Sequence, residues 1–268
     1  MNAEKPETTV EVGENLIHFI ARSPSVFHAV HGVKEALLYS GFTEIREEDP
    51  WHIEKGGKYV VTRNGSALIA FTVPEEGARS FHIMASHADS PCFKIKENPE
   101  IKEGPYVKLN VEGYGGMIMS TWLDRPLSVA GRLIVRENGH LAQKLAAVDG
   151  TMLVIPSVAI HMDRNVNHKK DWNVQKDLLP LYGLATEKTS FMDVIAASAN
   201  VKTEDIVAHD LYLYSRVPGT IWGEEKEFIS SPKLDDLQCA FAAFRGFMRG
   251  KKEKHISVYA LSLIHISE

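Results

Sequence analysis

The sequence predicts an α/β protein whose core is interrupted by an inserted β-rich domain. Three observations carry this. The first is order: two helical patterns, a hairpin and an apolar strand run from Val12 to Ser86. Alternation of helices with strands suits a layered α/β core. The second is texture: from about Phe93 to Val217, short β-rich pieces alternate with turns and polar loops. The third is a return, in which an amphipathic helix near Asp235 precedes an apolar run from Ile256 to Leu261. The expected organisation is therefore 1–92, an insertion at 93–217, a continuation at 218–261, and a tail at 262–268.

Each element has its local reason. Val12, Leu16, Phe19 and Ile20 recur at helical spacing. Ser23-Pro24-Ser25 ends that helix, and Ser25 is placed to cap a second whose stripe is Val30, Val33 and Leu37. Gly41 suits its C-terminal end. Tyr59 to Thr62 and Ala67 to Phe71 flank Asn64-Gly65, a hairpin signal because both turn positions need positive φ. Asn64-Gly65-Ser66 also fits a glycosylation sequon, but the turn is the preferred reading. Phe81 to Ser86 is expected as a buried strand. In the insertion, Leu133 to Val135 and Met152 to Ile155 read as short strands, and Asp210 to Tyr214 alternates as a half-buried one. Phe191 to Ala197 reads as a short helix. Asp163 to Leu178, rich in asparagine and lysine, is expected as an exposed, mobile loop. Leu237, Ala240, Phe241 and Phe244 form the stripe of the returning helix, and Lys251-Lys252-Glu253-Lys254 its solvated end.

Composition narrows the function classes. The chain has 268 residues, 44% hydrophobic and 24% charged, with a net charge of −5. That is an ordinary globular balance. No basic excess points to nucleic acid. No apolar run approaches the ~18 residues of a membrane span, and the polar stretch from Met1 to Thr8 lacks a signal peptide's apolar centre. The two cysteines, Cys92 and Cys239, are far apart and form no CxxC pair. The expected setting is thus reducing and cytoplasmic.

Two motifs carry candidate chemistry. His87-Ala88-Asp89-Ser90-Pro91 lies where a strand gives way to a loop. Hydrolytic zinc takes imidazole and carboxylate ligands and keeps an open position. His87 fits a metal ligand, and Asp89 a carboxylate that fixes its tautomer. An HxD pair alone more often marks a structural histidine than a metal ligand. Ser231-Pro232-Lys233-Leu234-Asp235-Asp236 opens the returning helix, where Asp235 suits either a ligand or an N-cap and Asp236 a complement to the helix dipole. There is no HExxH, GxSxG or P-loop, and Gly113-x-Gly115-Gly116 is not a dinucleotide fingerprint.

Taken together, the motifs resemble those of the aspartyl aminopeptidase family of dinuclear zinc metallopeptidases. The similar segments are Ser86 to Pro91 with Lys94 and Lys96, and Tyr114-Gly115-Gly116 with Thr121 to Leu127 and Ala130-Gly131-Arg132. Ile155 to His161 with Arg164-Asn165, and Ser231 to Leu237, follow in order. Met117 departs from the pattern, which has a third glycine there. The resemblance runs to about Ala260. It implies a mixed-sheet metallopeptidase domain holding two zinc ions and an inserted dimerisation or lid domain. It further implies removal of an N-terminal, often acidic, residue from peptides, and a homo-oligomer, typically a dodecamer. By residue matching, His87 binds one zinc, Asp235 bridges both, Asp89 orients His87 and takes a catalytic role, and His161 contributes to a neighbouring subunit's substrate pocket.

The family pattern continues into a pair of glutamates and further ligands that Ser262 to Glu268 does not match. That tail resembles a translated sequencing-adapter read. The expectation is a truncated or chimeric product that is poorly soluble, inactive without its general base, and exposes Ile256 to Leu261 as a sheet edge. A non-catalytic assembly or regulatory subunit is the alternative. A different dinuclear hydrolase, such as a carboxypeptidase or deacylase, is disfavoured by the block from Trp122 to Arg132.

Overall fold

The computed structural model describes residues 7–168, 170–185, 190–250 and 254–264. The expectations for Met1 to Pro6, Lys251 to Glu253 and His265 to Glu268 fall outside them. The chain divides into two compact units, residues 1–90 with 218–268, and residues 91–217.

The first unit begins with α1, Thr9–Ala21. A capping box starts it: Glu11 N–H donates to Thr8 Oγ1 (3.2 Å) and Thr8 N–H to Glu11 Oε2 (2.6 Å). Leu16 and Ile20 are its buried stripe. The second helix, α2, is Val26–Tyr39, with Val30, Val33 and Leu37 buried. Ser25 stands at its N-cap but does not cap it; the hydroxyl is instead 2.8 Å from His28 Nδ1. Strands β1 (Thr43–Glu44), β2 (Lys58–Arg63), β3 (Ala67–Thr72) and β4 (Phe81–His87) follow. The β2–β3 turn has φ of 52° at Asn64 and 65° at Gly65, as the hairpin requires.

The second unit contains β5 (Cys92–Glu103), β6 (Tyr106–Tyr114), β7 (Leu127–Glu137) and β8 (His140–Ala147). Helix α3 (Val174–Asp177), β9 (Leu181–Leu184), α4 (Phe191–Ser198) and β10 (Ile206–Ser215) complete it. Its sheet has the order β8-β7-β10-β5-β6-β9, with antiparallel neighbours throughout. Phe93, Leu109, Leu127, Leu133, Ile155, Phe191 and Leu211 lie in one continuous apolar core. The segment expected as an exposed loop at 163–178 differs from that expectation. Asn173 caps α3 by accepting from Gln175 N–H, and Leu178 is fully buried in the core. The polar residues around it masked one strong apolar anchor.

The chain returns to the first unit as the hairpin β11 (Thr220–Trp222) and β12 (Phe228–Ser230), then α5 (Leu234–Arg249) and β13 (Ile256–Ser262). The sheet order is β1-β2-β3-β13-β4. Strand β13 is antiparallel to β3 and parallel to β4, so the sheet is mixed. Tyr259 pairs with Ala70 and Leu261 with Leu68; all are buried and define the covered face. Helix α5 packs on β4 and β13, and α2 on β3.

Two strand expectations need correction. Ile256 to Leu261 is not an edge: β13 is inserted between β3 and β4 and hydrogen-bonded on both sides. Phe81 to Ser86 is not buried: β4 is the edge strand among the described residues, and Phe81 (64%) and Ile83 (67%) are exposed. An apolar run specifies a strand, but the number of neighbours decides its burial. No helix among the described residues is long and apolar enough to cross a membrane.

One buried group gives this unit a pH response. Burial, with the positive charges of His31 and Lys233, pushes the His28 imidazole down to about 4. The unfolded chain takes up this proton near pH 6.5, whereas the folded chain resists it to about 4. This contribution to stability is therefore complete above about 6.5 and lost as pH falls towards 4. At ~1.36 kcal/mol per pH unit the loss reaches about 3 kcal/mol. Chemical denaturation between pH 4 and 7 should show that the drop is smaller in His28→Gln. An equal drop in both proteins would place the acid sensitivity elsewhere.

Candidate metal centre

The centre forms where β4 ends against the start of α5. Beyond the last residue of β4, Ala88 N–H still donates to Ser262 O (2.8 Å), so the strand's direction is held through His87. Asp89 then turns inward and is only 5% exposed. Its Oδ1 lies 3.1 Å from His87 Nδ1 and accepts from Ile264 N–H at 3.1 Å. Its carbonyl oxygen is also 3.1 Å from His87 Nδ1. Both neighbours of Nδ1 are acceptors, which places the ring proton there and leaves the Nε2 lone pair available.

Nε2 faces two carboxylates. Asp235 Oδ1 is 3.7 Å away and Asp236 Oδ2 is 3.4 Å away. One ligand atom from each of His87, Asp235 and Asp236 lies within 4.8 Å of the others. The side chains differ in access: His87 is 18% exposed, Asp236 15% and Asp235 75%.

The carboxylates are carried by an unusual helix start. Lys233, not an aspartate, holds the N-cap position, with φ of 59° and no side-chain cap. Its ammonium donates to Ile20 O (3.2 Å) and Ser23 O (2.7 Å), which ties the loop to the end of α1. Asp235 and Asp236 are themselves non-helical, and the peptide between them is cis. The N-cap position falls to Lys233, so the N-cap reading of Asp235 does not hold; both acids face His87 instead. The hydrogen bond from Cys239 to Asp236, with burial and the two aspartate charges, raises the thiol above its ordinary range.

The remaining sequence-selected residues lie in the second unit. His161 is exposed in a turn. In the same unit, Asp124 Oδ1 accepts from Ser157 N–H (2.9 Å); the Ser157 side chain first, and its backbone N–H second, hold the Asp124 carboxyl below its usual range. Lys94 is committed to Asp210 (2.9 Å), which also pairs with Arg132 (2.8 Å). Asp236 is the residue that sequence reasoning missed at the centre. Its only signal was a second acid beside Asp235.

The sequence match decides the family. Residues 19–263 match the model of the aminopeptidase I zinc metalloproteases, M18. The chain belongs to the M18 aminopeptidase family. A probable M18 family aminopeptidase 2 of Clostridium acetobutylicum is 44% identical over 260 residues, covering 94% of this chain and 60% of that protein. The chain thus spans about 60% of the length of that M18 relative. The fold agrees. A chain in the cryo-EM structure of the Ape4 and Nbr1 complex aligns with a TM-score of 0.88 at 31% identity, over 93% of this chain and 54% of that one. The S. cerevisiae mApe1 dodecamer aligns with a TM-score of 0.79 at 24% identity, over 94% and 60% respectively, and shares the M18 fold.

Proposed function

We propose that the chain acts in a zinc-dependent aminopeptidase that removes N-terminal, acidic residues from peptides. The observation that carries this is the convergence of His87 Nε2 with the Asp235 and Asp236 carboxylates, with Nδ1 turned to Asp89. An imidazole nitrogen and carboxylate oxygens are a donor set suited to zinc. His87 and Asp235 would hold the metal, Asp235 as the bridge in a two-zinc centre. Zinc, when bound, supplies a Lewis acid for a peptide carbonyl. The chain's own residues do the rest. Asp89 keeps the His87 ring oriented and its proton on Nδ1, so Nε2 stays a ligand.

The inserted unit is proposed as a dimerisation and lid element, with His161 contributing to a neighbouring copy's substrate pocket. The dodecameric state of yeast mApe1 supports assembly into a homo-oligomer. Cys92 and Cys239 form no disulfide, which fits a cytoplasmic setting.

Calorimetric titration with zinc tests the centre. The whole chain should bind zinc, and His87→Ala should weaken binding at least ~100-fold, more than the ~10–100-fold of losing a residue that only orients a ligand. Unchanged binding in both His87→Ala and Asp235→Asn would remove the zinc reading. The acidic preference is checked by competition between Glu-Xaa and Leu-Xaa peptides for the zinc-loaded chain.

A further inference from the structure

We propose that Asp236 is a positioning residue that fixes the end of β4, so that His87 presents Nε2 towards Asp235. The inference rests on the zinc reading above, and the contact that carries it is between protein atoms alone.

Backbone direction is the starting point. Along a strand in a parallel pair, successive residues direct their N–H groups to opposite sides. Ile256 N–H donates to Ser80 O, and Ala88 N–H to Ser262 O, so the even-numbered residues of this stretch face β13. His87 N–H therefore points to the free side of β4, where no strand pairs among the described residues. Asp236 Oδ2 accepts it there at 3.3 Å. A single carboxylate oxygen thus does for His87 what a neighbouring strand would do.

Side-chain access separates the two adjacent acids. Asp235 is 75% exposed and free to meet a cation, whereas Asp236 is 15% exposed and committed to protein groups. Asp236 is carried by the start of α5, so its contact with the His87 N–H ties the helix start to the strand end. His87 is fixed at both ends: its ring by Asp89 and its backbone by Asp236. A ligand restrained in this way keeps its direction without the metal.

The role depends on a hydrogen-bond acceptor, not on a charge, and this yields the test. Asp236→Asn retains an acceptor oxygen; Asp236→Ala removes it, and Asp236→Leu does so at similar size should the alanine variant fail to fold. Two measurements are made on the whole chain: amide hydrogen exchange at His87 without metal, and zinc affinity by calorimetry. Loss of the acceptor should speed His87 exchange at least tenfold and weaken zinc ~10–100-fold. Asp236→Asn should stay within about threefold of the parent in both. Unchanged exchange at His87 in the alanine or leucine variant would overturn the proposal. So would faster exchange with unaltered zinc affinity, which marks a purely structural contact. Zinc loss in Asp236→Asn equal to that in Asp236→Ala would instead make the charge a direct ligand. If the parent chain binds no zinc, the zinc reading fails, and with it the positioning role in metal binding. The exchange data then report the His87 contact on its own.

Discussion

Replacing Phe247 with alanine is expected to cost the first unit about 3–5 kcal/mol, the range for truncating a buried phenylalanine. Phe247 is fully buried on α5. Its ring centroid lies 5.7 Å from that of Phe42 and 6.0 Å from that of Tyr259. The ring joins the helix to β13, an internal strand of the sheet, and to the segment after α2. Tyr259 cannot relax into the space freely, because its hydroxyl donates to Ala240 O at 3.0 Å in a buried position. With total stabilities of about 5–15 kcal/mol, a loss of this size leaves the unit marginal. Urea unfolding followed by aromatic fluorescence measures it. A loss below about 1 kcal/mol would mean that α5 does not pack on the sheet as described.

Gly131→Ala should be comparably severe in the second unit. A Cβ there would lie 1.9 Å from Asp210 O and 2.9 Å from Leu211 Cα, both main-chain atoms. Rotamer changes cannot relieve that overlap, so β7 and β10 must separate. We expect a cost of about 3 kcal/mol or more, at the upper end for overpacking. Asp210 would move too, and with it the pairs to Lys94 and Arg132. Gly32 is the contrast: it lies inside α2, and a Cβ there meets nothing within 4 Å. Gly32→Ala should gain about 0.5–1 kcal/mol from helix propensity. Thermal unfolding of the two variants should move in opposite directions; equal shifts would contradict the close β7–β10 approach.

The contrast also shows what the sequence made legible. Local rules with short range were readable. Asn64-Gly65 specified its turn, and Leu16 and Ile20 specified the inner face of α1. The resemblance drew His87, Asp89 and Asp235 together across a long insertion. Features decided by neighbours were not readable. The run from Phe81 to Ser86 is equally apolar for a central and an edge strand. Strand β13 looked like an edge until its place between β3 and β4 was known. Leu178 was hidden by the polar residues preceding it. Asp236 was missed because its role depends on which side of β4 the His87 N–H faces, and that follows only from the pairing with β13.

That internal position of β13, between β3 and β4, has a consequence for how the molecule comes into being. Residues 91–217 are contiguous, so the second unit can form as soon as it leaves the ribosome. The first unit cannot: β3 and β4 acquire their shared neighbour only after residue 256 has been made. His87 waits 149 residues for Asp236. Contacts this distant are slow to form because a long loop must close before any of them contributes. During synthesis the early strands therefore stand with unpaired edges, a state open to chaperone capture or aggregation.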